Sequence, residues 1–266
     1  MPETIFLKLG GSLITNKDQA HTALIAEIDA IGAQIKRFRQ DFPAVRLLVG
    51  HGSGSFGHVA AKKYGTRNGV RSAEEWQGFL EVWREAHALD EILLERFTRL
   101  GLPVLSFPLS AGALTRQGQV QSWTTRPIQM ALENGLLPII FGDVAFDEAL
   151  GGTILSTEEQ MKHLVPVIIP TRILLAGLEE GVWQDFPACT QLIKTITTAS
   201  YPQVRQHVFG SSSTDVTGGM ASKVAEMMSL VVEYPQLEVS IFSGKEPEAV
   251  YKALAGESIG TVLRDH

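Results

Sequence analysis

The chain of 266 residues carries 29 acidic and 23 basic side chains, a formal charge of −6, with 44% hydrophobic and 20% charged residues. This is a globular composition, and its acidic balance argues against a general nucleic-acid binder. One cysteine, Cys189, rules out an intrachain disulfide and a cysteine metal cluster and favours a reducing compartment. No basic-then-apolar leader opens MPETIFLKLG, and the longest apolar run (165–176) is broken by Pro166, Pro170 and Arg172, so we expect a cytoplasmic protein with no membrane span.

In chain order, residues 4–9 (TIFLKL) predict a first strand that ends at Gly10-Gly11. Leu24, Ile25, Ile28, Ile31 and Ile35 recur at helical spacing, with Lys36, Arg37 and Arg39 in the last turns, where cations suit a helix C-terminus. Residues 45–49 form a second apolar run, followed by the glycine-rich HGSGSFGH and a helix through His58 and Lys63. Ser72 with Glu75 is a capping-box pattern opening a long helix to Leu100, and Gly101 closes it. Strands are expected at 103–107 and 137–141, a helix at 158–164 and strand-like residues at 167–176, running into a glycine loop at 177–181. The last third repeats the theme, with helices at 200–208, 218–233 and 246–254 and strands at 237–242 and 260–263. Strands alternating with helices imply an α/β fold with a mainly parallel sheet, in one domain of two lobes.

Polar and glycine residues gather at the carboxyl ends of these strands, where open α/β sheets bind ligands. They are Gly10-Gly11-Ser12, Gly50 to His58, Gly142-Asp143 and Ser243-Gly244. Lys8 lies in an apolar strand, where an uncompensated charge is costly. It either reaches a ligand at the strand end or faces water from an edge strand. GSGSFG at 52–57 formally matches a dinucleotide-binding GxGxxG, but that fingerprint normally follows the first strand, which here already carries a glycine turn and a lysine. No GxxxxGK[ST] is present, so this is not a P-loop protein. His51 and His58 have no third ligand at metal spacing, so no metal site is expected, and His51 reads as structural. Asp143 either holds lysines or caps a turn. Gly218-Gly219 before a helix, with Lys223 one turn in, forms either an anion site or a plain capped helix.

KLGGSLIT, GDV and DVTGGMASK, with the late GESIGTVL, resemble the amino acid kinase superfamily over nearly the whole chain. HGSGSFGH and Lys17 are similar to its isopentenyl phosphate kinase branch, with fosfomycin kinases, which share the histidine, as the nearest rival. The resemblance implies an open αβα sandwich with an acceptor lobe at 1–168 and a nucleotide lobe at 169–266. It implies ATP and Mg²⁺ as cofactors, isopentenyl phosphate as the small-molecule substrate, and a homodimer. Carried over by position, Lys8, Lys17 and Lys223 would surround the transferring phosphoryl group, and His58 would donate a hydrogen bond to the acceptor phosphate. Gly10, Gly11, Ser12, Ser53, Gly177, Gly218 and Gly219 would contact ATP, and Gly52, Gly54, Gly57 and Thr157 the acceptor. Asp143 would orient lysines.

In this reading three lysines, an imidazolium and Mg²⁺ offset the repulsion between two anions, and the acceptor phosphate is its own nucleophile. The helix at 72–100 carries Trp76, Phe79, Leu80, Val82, Trp83 and Leu89. These either pack a core or, as the resemblance implies for Phe79 and Trp83, floor the isoprenoid pocket. Two departures stand out: Ser156-Thr157-Glu158-Glu159 replaces the usual Ser-Gly-Asp, and Ala176 to Trp183 replaces a TDVDGVY-like loop. The other readings are a phosphonate or alkyl-phosphate kinase, a nucleotide-sensing regulator without turnover and, from GSGSFG alone, a dinucleotide oxidoreductase.

Overall fold

Alternation along the first strand sets the architecture. In a computed structural model describing residues 2–207 and 219–266, β1 (Thr4–Leu9) is buried along its whole length. Successive side chains point to opposite faces. Ile5, Leu7 and Leu9 join one core, while Phe6 joins the other. Lys8 shares the parity of Phe6 and so faces the second layer. After the single turn α1 (Gly11–Ile14), α2 (Ile25–Asp41) packs Ile28, Ile31, Ile35 and Phe38 on the first face.

β2 (Arg46–His51) runs parallel to β1 and leads into α3 (Gly54–Tyr64). α4 (Ala73–Arg99) starts on the expected capping box, with Ser72 Oγ accepting from the Glu75 N–H at 3.2 Å, and adds Leu89, Leu93 and Phe97 to the first core. β3 (Val104–Ser106), β4 (Ala113–Arg116), β5 (Gln119–Trp123) and α5 (Arg126–Glu133) follow. Then come β6 (Leu137–Phe141), β7 (Asp143–Asp147) and β8 (Gly151–Leu155).

The rest of the chain builds the second layer and the other half of the sheet. α6 (Thr157–Ile168) packs Met161, Leu164 and Val165 on the second face. The expected strand at 167–176 is shorter: α6 runs past Pro166 to a left-handed Ile169 (φ 56°), and β9 covers only Arg172–Gly177. Burial of Leu164 and Val165 outweighs the helix-breaking tendency of the proline. β10 (Val182–Trp183), β11 (Leu192–Ile193), β12 (Thr195–Thr197), α7 (Tyr201–His207), α8 (Met220–Glu233), β13 (Glu238–Ser243), α9 (Ala249–Leu254) and β14 (Thr261–Arg264) complete the order.

The main sheet has eight strands in the order β12-β14-β13-β9-β1-β2-β6-β3. Among the described residues only the β13–β14 pairing in it is antiparallel. It runs unbroken across the expected lobe boundary through the β1–β9 ladder. β1 therefore lies in the middle, which removes the edge-strand reading of Lys8. α2, α4 and α9 cover one face, and α5, α6 and α8 the other.

A second sheet, β5-β4-β7-β8, extends beyond β6. The β4–β5 hairpin and α5 have no counterpart among the sequence expectations. Its turn, Gln117-Gly118, has positive φ at both residues (51° and 73°) without the usual Asn-Gly or Asp-Gly signal. Asp147 ties it down: its carboxylate accepts from the N–H groups of Gln117, Gly118, Ala149 and Leu150 and from the Thr115 hydroxyl, at 2.8–3.0 Å. Burial works against that charge, but the combined donors pull its pKa down to about 2. Among the described residues no helix is long and apolar enough to cross a membrane.

Candidate active site

The carboxyl ends of β1 and β2 are adjacent, so their glycine turns meet. A Cβ on Gly11 would collide with the Gly54 backbone, and one on Gly52 would lie 2.9 Å from the Gly11 nitrogen. Gly54 adopts φ 51° against Thr15. This backbone-on-backbone seat admits only glycine at these positions. It carries Gly10, Ser12 and Ser53 beside it and opens α3, so His58 rises from the second turn of that helix. Gly57 is buried in the same helix, and the Gly10 N–H donates to the Ala176 carbonyl at 2.8 Å, linking the turn to the end of β9. At that end Gly177 faces open space, with no atom within 4 Å of where a Cβ would stand.

Lys8 is 9% exposed. Its ammonium lies 2.9 Å from Glu158 Oε1 in the first turn of α6. Burial works to raise the Glu158 carboxyl, but the charge and hydrogen bond of Lys8, together with the charge of Lys223, hold it below the usual glutamate range. Lys223, one turn into α8, is held below the ordinary lysine value by burial and then by Lys8, while Glu158 and Glu179 act in the opposite direction. Lys8, Glu158 and Lys223 therefore form one electrostatic group under the sheet.

His58 stands on the solvent side of the glycine seat. Its imidazole is pushed below the usual histidine value by partial desolvation, then by Lys8 and Lys17. The ring carries an N–H donor in either protonation state. Lys17 is exposed on the loop after α1.

The departure at 156–159 also has a physical account. Ser156 and Glu159 are spent on a reciprocal capping box, with Ser156 Oγ accepting from the Glu159 N–H at 3.1 Å and Glu159 Oε2 from the Ser156 N–H at 2.6 Å. Thr157 donates its hydroxyl to the His51 carbonyl at 2.6 Å, so its proton is committed to the scaffold. Glu158 is left facing Lys8. Sequence reasoning assigned Glu158 no role, although Ser156-x-x-Glu159 is a legible helix start that sets it in the first turn.

Asp143 requires a correction. As the first residue of β7, it accepts from the Ser110 N–H at 3.0 Å and the Val144 N–H at 2.8 Å, with His87 Nε2 at 3.9 Å. It anchors the acceptor-side loops, and the carboxylate that meets Lys8 is Glu158. His51 is structural, as expected. It is fully buried, with its ring nitrogens 3.2 Å from the Gly52 carbonyl oxygen and from Asp90 Oδ1.

Phe79 belongs to the core between α3, α4 and the second sheet. It packs on Trp76 and Phe146 at ring distances of 5.1 and 5.4 Å, as the core reading expects. Trp83 is 37% exposed, donates from Nε1 to Ser110 Oγ at 3.2 Å and lies 4.3 Å from the His87 ring, so its face remains available to a ligand. Gly219 precedes α8, and the Gly218 assignment lies outside the described residues. Among the described residues no group of three His, Cys, Asp or Glu side chains could hold a metal.

An αβα sandwich with lysines gathered at its strand ends, and no P-loop, defines a class of phosphotransferases that bind through glycine turns. The sequence pattern of the amino acid kinase family matches residues 3–243, and the chain belongs to that family. Within it, the chain is 32% identical to the isopentenyl phosphate kinase of Haloferax volcanii over 98% of each chain. It is 28% identical to that of Methanocaldococcus jannaschii over 97% of each. A solved X-ray structure of isopentenyl phosphate kinase shares its fold, with a TM-score of 0.82 and 24% identity over 98% of this chain and all of that one.

Proposed function

We propose that the chain transfers the γ-phosphoryl group of ATP to isopentenyl phosphate, yielding isopentenyl diphosphate and ADP. One observation carries the reading most directly: Lys8, buried at the end of β1 and paired with Glu158 at 2.9 Å, lies near enough to His58 and to Lys223 for its charge to lower the proton affinity of each. A cation placed between two further basic groups suits a phosphoryl group passing between two anions. The near-full-length similarity to named isopentenyl phosphate kinases supplies the acceptor.

An oxygen of the acceptor phosphate attacks the γ-phosphorus, and the bond from that phosphorus to the β,γ-bridging oxygen breaks as ADP leaves. The nucleophile is already ionised at neutral pH, so positioning and charge compensation dominate. In this account Lys8, held by Glu158, sits at the transferring group, with Lys17 and Lys223 on either side. His58 donates an N–H to the acceptor phosphate, and an anion arriving there favours its protonated form. Gly10, Gly11, Ser12 and Ser53 present N–H groups to ATP, while Gly52, Gly54 and Gly57 line the acceptor side. Residues 1–168 supply the acceptor half and 169–266 the nucleotide half. Mg²⁺ bound together with ATP would add charge neutralisation to that supplied by the lysines. The family resemblance extends the proposal to a cytoplasmic homodimer, which light scattering of the purified protein checks.

The testing experiment is ADP release with isopentenyl phosphate, dimethylallyl phosphate, fosfomycin and short alkyl phosphates offered in parallel. The proposal expects the highest kcat/KM with isopentenyl phosphate.

A further inference from the structure

Lys17 lies on a loop, residues 15–24, whose base is closed by one antiparallel bridge made of two backbone hydrogen bonds. Thr15 bridges to Ala23, the Leu24 N–H donates to the Ile14 carbonyl at 2.8 Å, and the Asn16 N–H to the Thr22 carbonyl at 2.9 Å. Thr15 Oγ1 also accepts from the Ser55 N–H at 2.9 Å and donates to the Gly11 carbonyl at 2.8 Å, which bolts this base to the glycine seat. The far side of the loop is held separately, by His21. Its Nδ1 lies 2.5 Å from Glu85 Oε2 on α4. Its ring meets Phe56 of α3 edge-on at 5.8 Å, and its N–H points to the Ser55 carbonyl at 3.4 Å.

His21 has a left-handed backbone, φ 54°. That conformation is uncommon for a residue with a Cβ and persists where surrounding contacts over-determine it. Here the surroundings are the close contact of Nδ1 with Glu85, a ring contact and a backbone contact, all directed at α3 and α4. Without them the loop would be held only by its base and by two local hydrogen bonds, from the Asp18 N–H to Asn16 Oδ1 and from the Thr22 hydroxyl to the Ala20 carbonyl, and Lys17 would be less restrained. With them the Lys17 charge stays close enough to be felt at His58.

We propose that His21, through its pairing with Glu85, is a positioning residue that clasps the Lys17 loop onto α3 and α4 and so sets the affinity for the acceptor phosphate. The clasp rests on the kinase reading for its functional consequence. Neither residue touches the reacting atoms, and both act through Lys17. A partly exposed polar contact of this kind is worth up to about 1 kcal/mol, or about three- to fivefold in a binding constant.

The test compares wild type, His21→Ala, Glu85→Gln and Lys17→Ala, with each clasp variant also made in the Lys17→Ala background. ADP release is measured with isopentenyl phosphate varied at saturating ATP, and the reverse. The clasp variants are expected to raise the acceptor KM about three- to fivefold and to leave the ATP KM within about twofold. In the Lys17→Ala background they should add nothing. An unchanged acceptor KM in both clasp variants, or the same increase with and without Lys17, would overturn the proposal. If wild type fails to turn over isopentenyl phosphate, the functional reading falls, and hydrogen exchange over residues 15–24 then judges the clasp. Exchange of the Asn16 amide should quicken about three- to fivefold in both clasp variants, and an unchanged rate overturns the clasp.

Discussion

Glu158→Gln removes one charge from the Lys8–Glu158–Lys223 group while keeping the side chain's size. The pair is close, at 2.9 Å, with side chains only 11% and 15% exposed. Coulomb's law at an effective dielectric constant near 20 gives about 6 kcal/mol for such a separation. Desolvation of both ions offsets much of this, and leaving one partner uncompensated typically costs about 3 kcal/mol. Lys8 is then free to leave the position from which it meets the transferring phosphoryl group. A loss of about 3 kcal/mol in transition-state stabilisation lowers kcat by roughly 10²-fold.

The same substitution carries a pH signature. Glu158 supports the charge on Lys223, so removing it lets that ammonium deprotonate more easily. Activity needs the ammonium form, so the alkaline limb of kcat/KM moves to lower pH. The stability effect has its own sign. The native carboxyl is held below its ordinary value, so its contribution is full above the unfolded-state pKa and fades as pH falls through the carboxylate range. The assay is coupled ADP release across pH, alongside thermal melts at pH 7. Turnover within twofold of wild type with the alkaline limb unmoved refutes the reasoning.

Four further substitutions probe separate parts of the structure. His58→Gln should lower kcat/KM by roughly 10²-fold, the scale of losing one preorganised donor. Lys17→Ala should raise the His58 pKa toward its ordinary value, read from the imidazole resonances on titration; near wild-type turnover in the first removes His58 from the mechanism, and no shift in the second removes the Lys17 charge from its surroundings. Asp147→Asn should destabilise the fold by on the order of 2 kcal/mol at pH 7, because a native pKa near 2 contributes stability above the unfolded value of about 4 and loses it as pH falls toward 2. Urea melts at pH 7 and pH 2.5 check this, and an equal deficit at both contradicts it. Trp83→Ala should extend the acceptor range to longer prenyl phosphates, and an unchanged chain-length preference refutes a tail-facing role.

The sheet was legible because strands buried on both faces read as apolar runs, and β1, β2 and β6 are each followed directly by glycine. The parity of Lys8 with Phe6 was also in the sequence. Its partner was not, because Glu158 lies 150 positions away and only the packing of α6 on the second face brings it over β1. The capping box at Ser156 and Glu159 was a usable clue to that placement. Asp143 misled because a strand-end carboxylate looks available, whereas here it opens β7 and its oxygens meet the N–H groups of Ser110 and Val144. The β4–β5 hairpin stayed hidden because its short strands are largely exposed and its Gln-Gly turn is stabilised from a distance by Asp147. Phe79 and Trp83 looked alike on one apolar helix face, and only the second sheet packing over Phe79 separates a core residue from an accessible one.

The central claim is that Lys8, Lys17, Lys223 and His58 serve a phosphate acceptor of the isopentenyl type. Its most direct test is steady-state ADP release by the wild-type chain with ATP and Mg²⁺ across isopentenyl phosphate, fosfomycin and short alkyl phosphates. The account predicts isopentenyl phosphate as the preferred acceptor, with isopentenyl diphosphate formed in step with ADP. Preference for the phosphonate, or ATP binding without turnover on any of them, would contradict it.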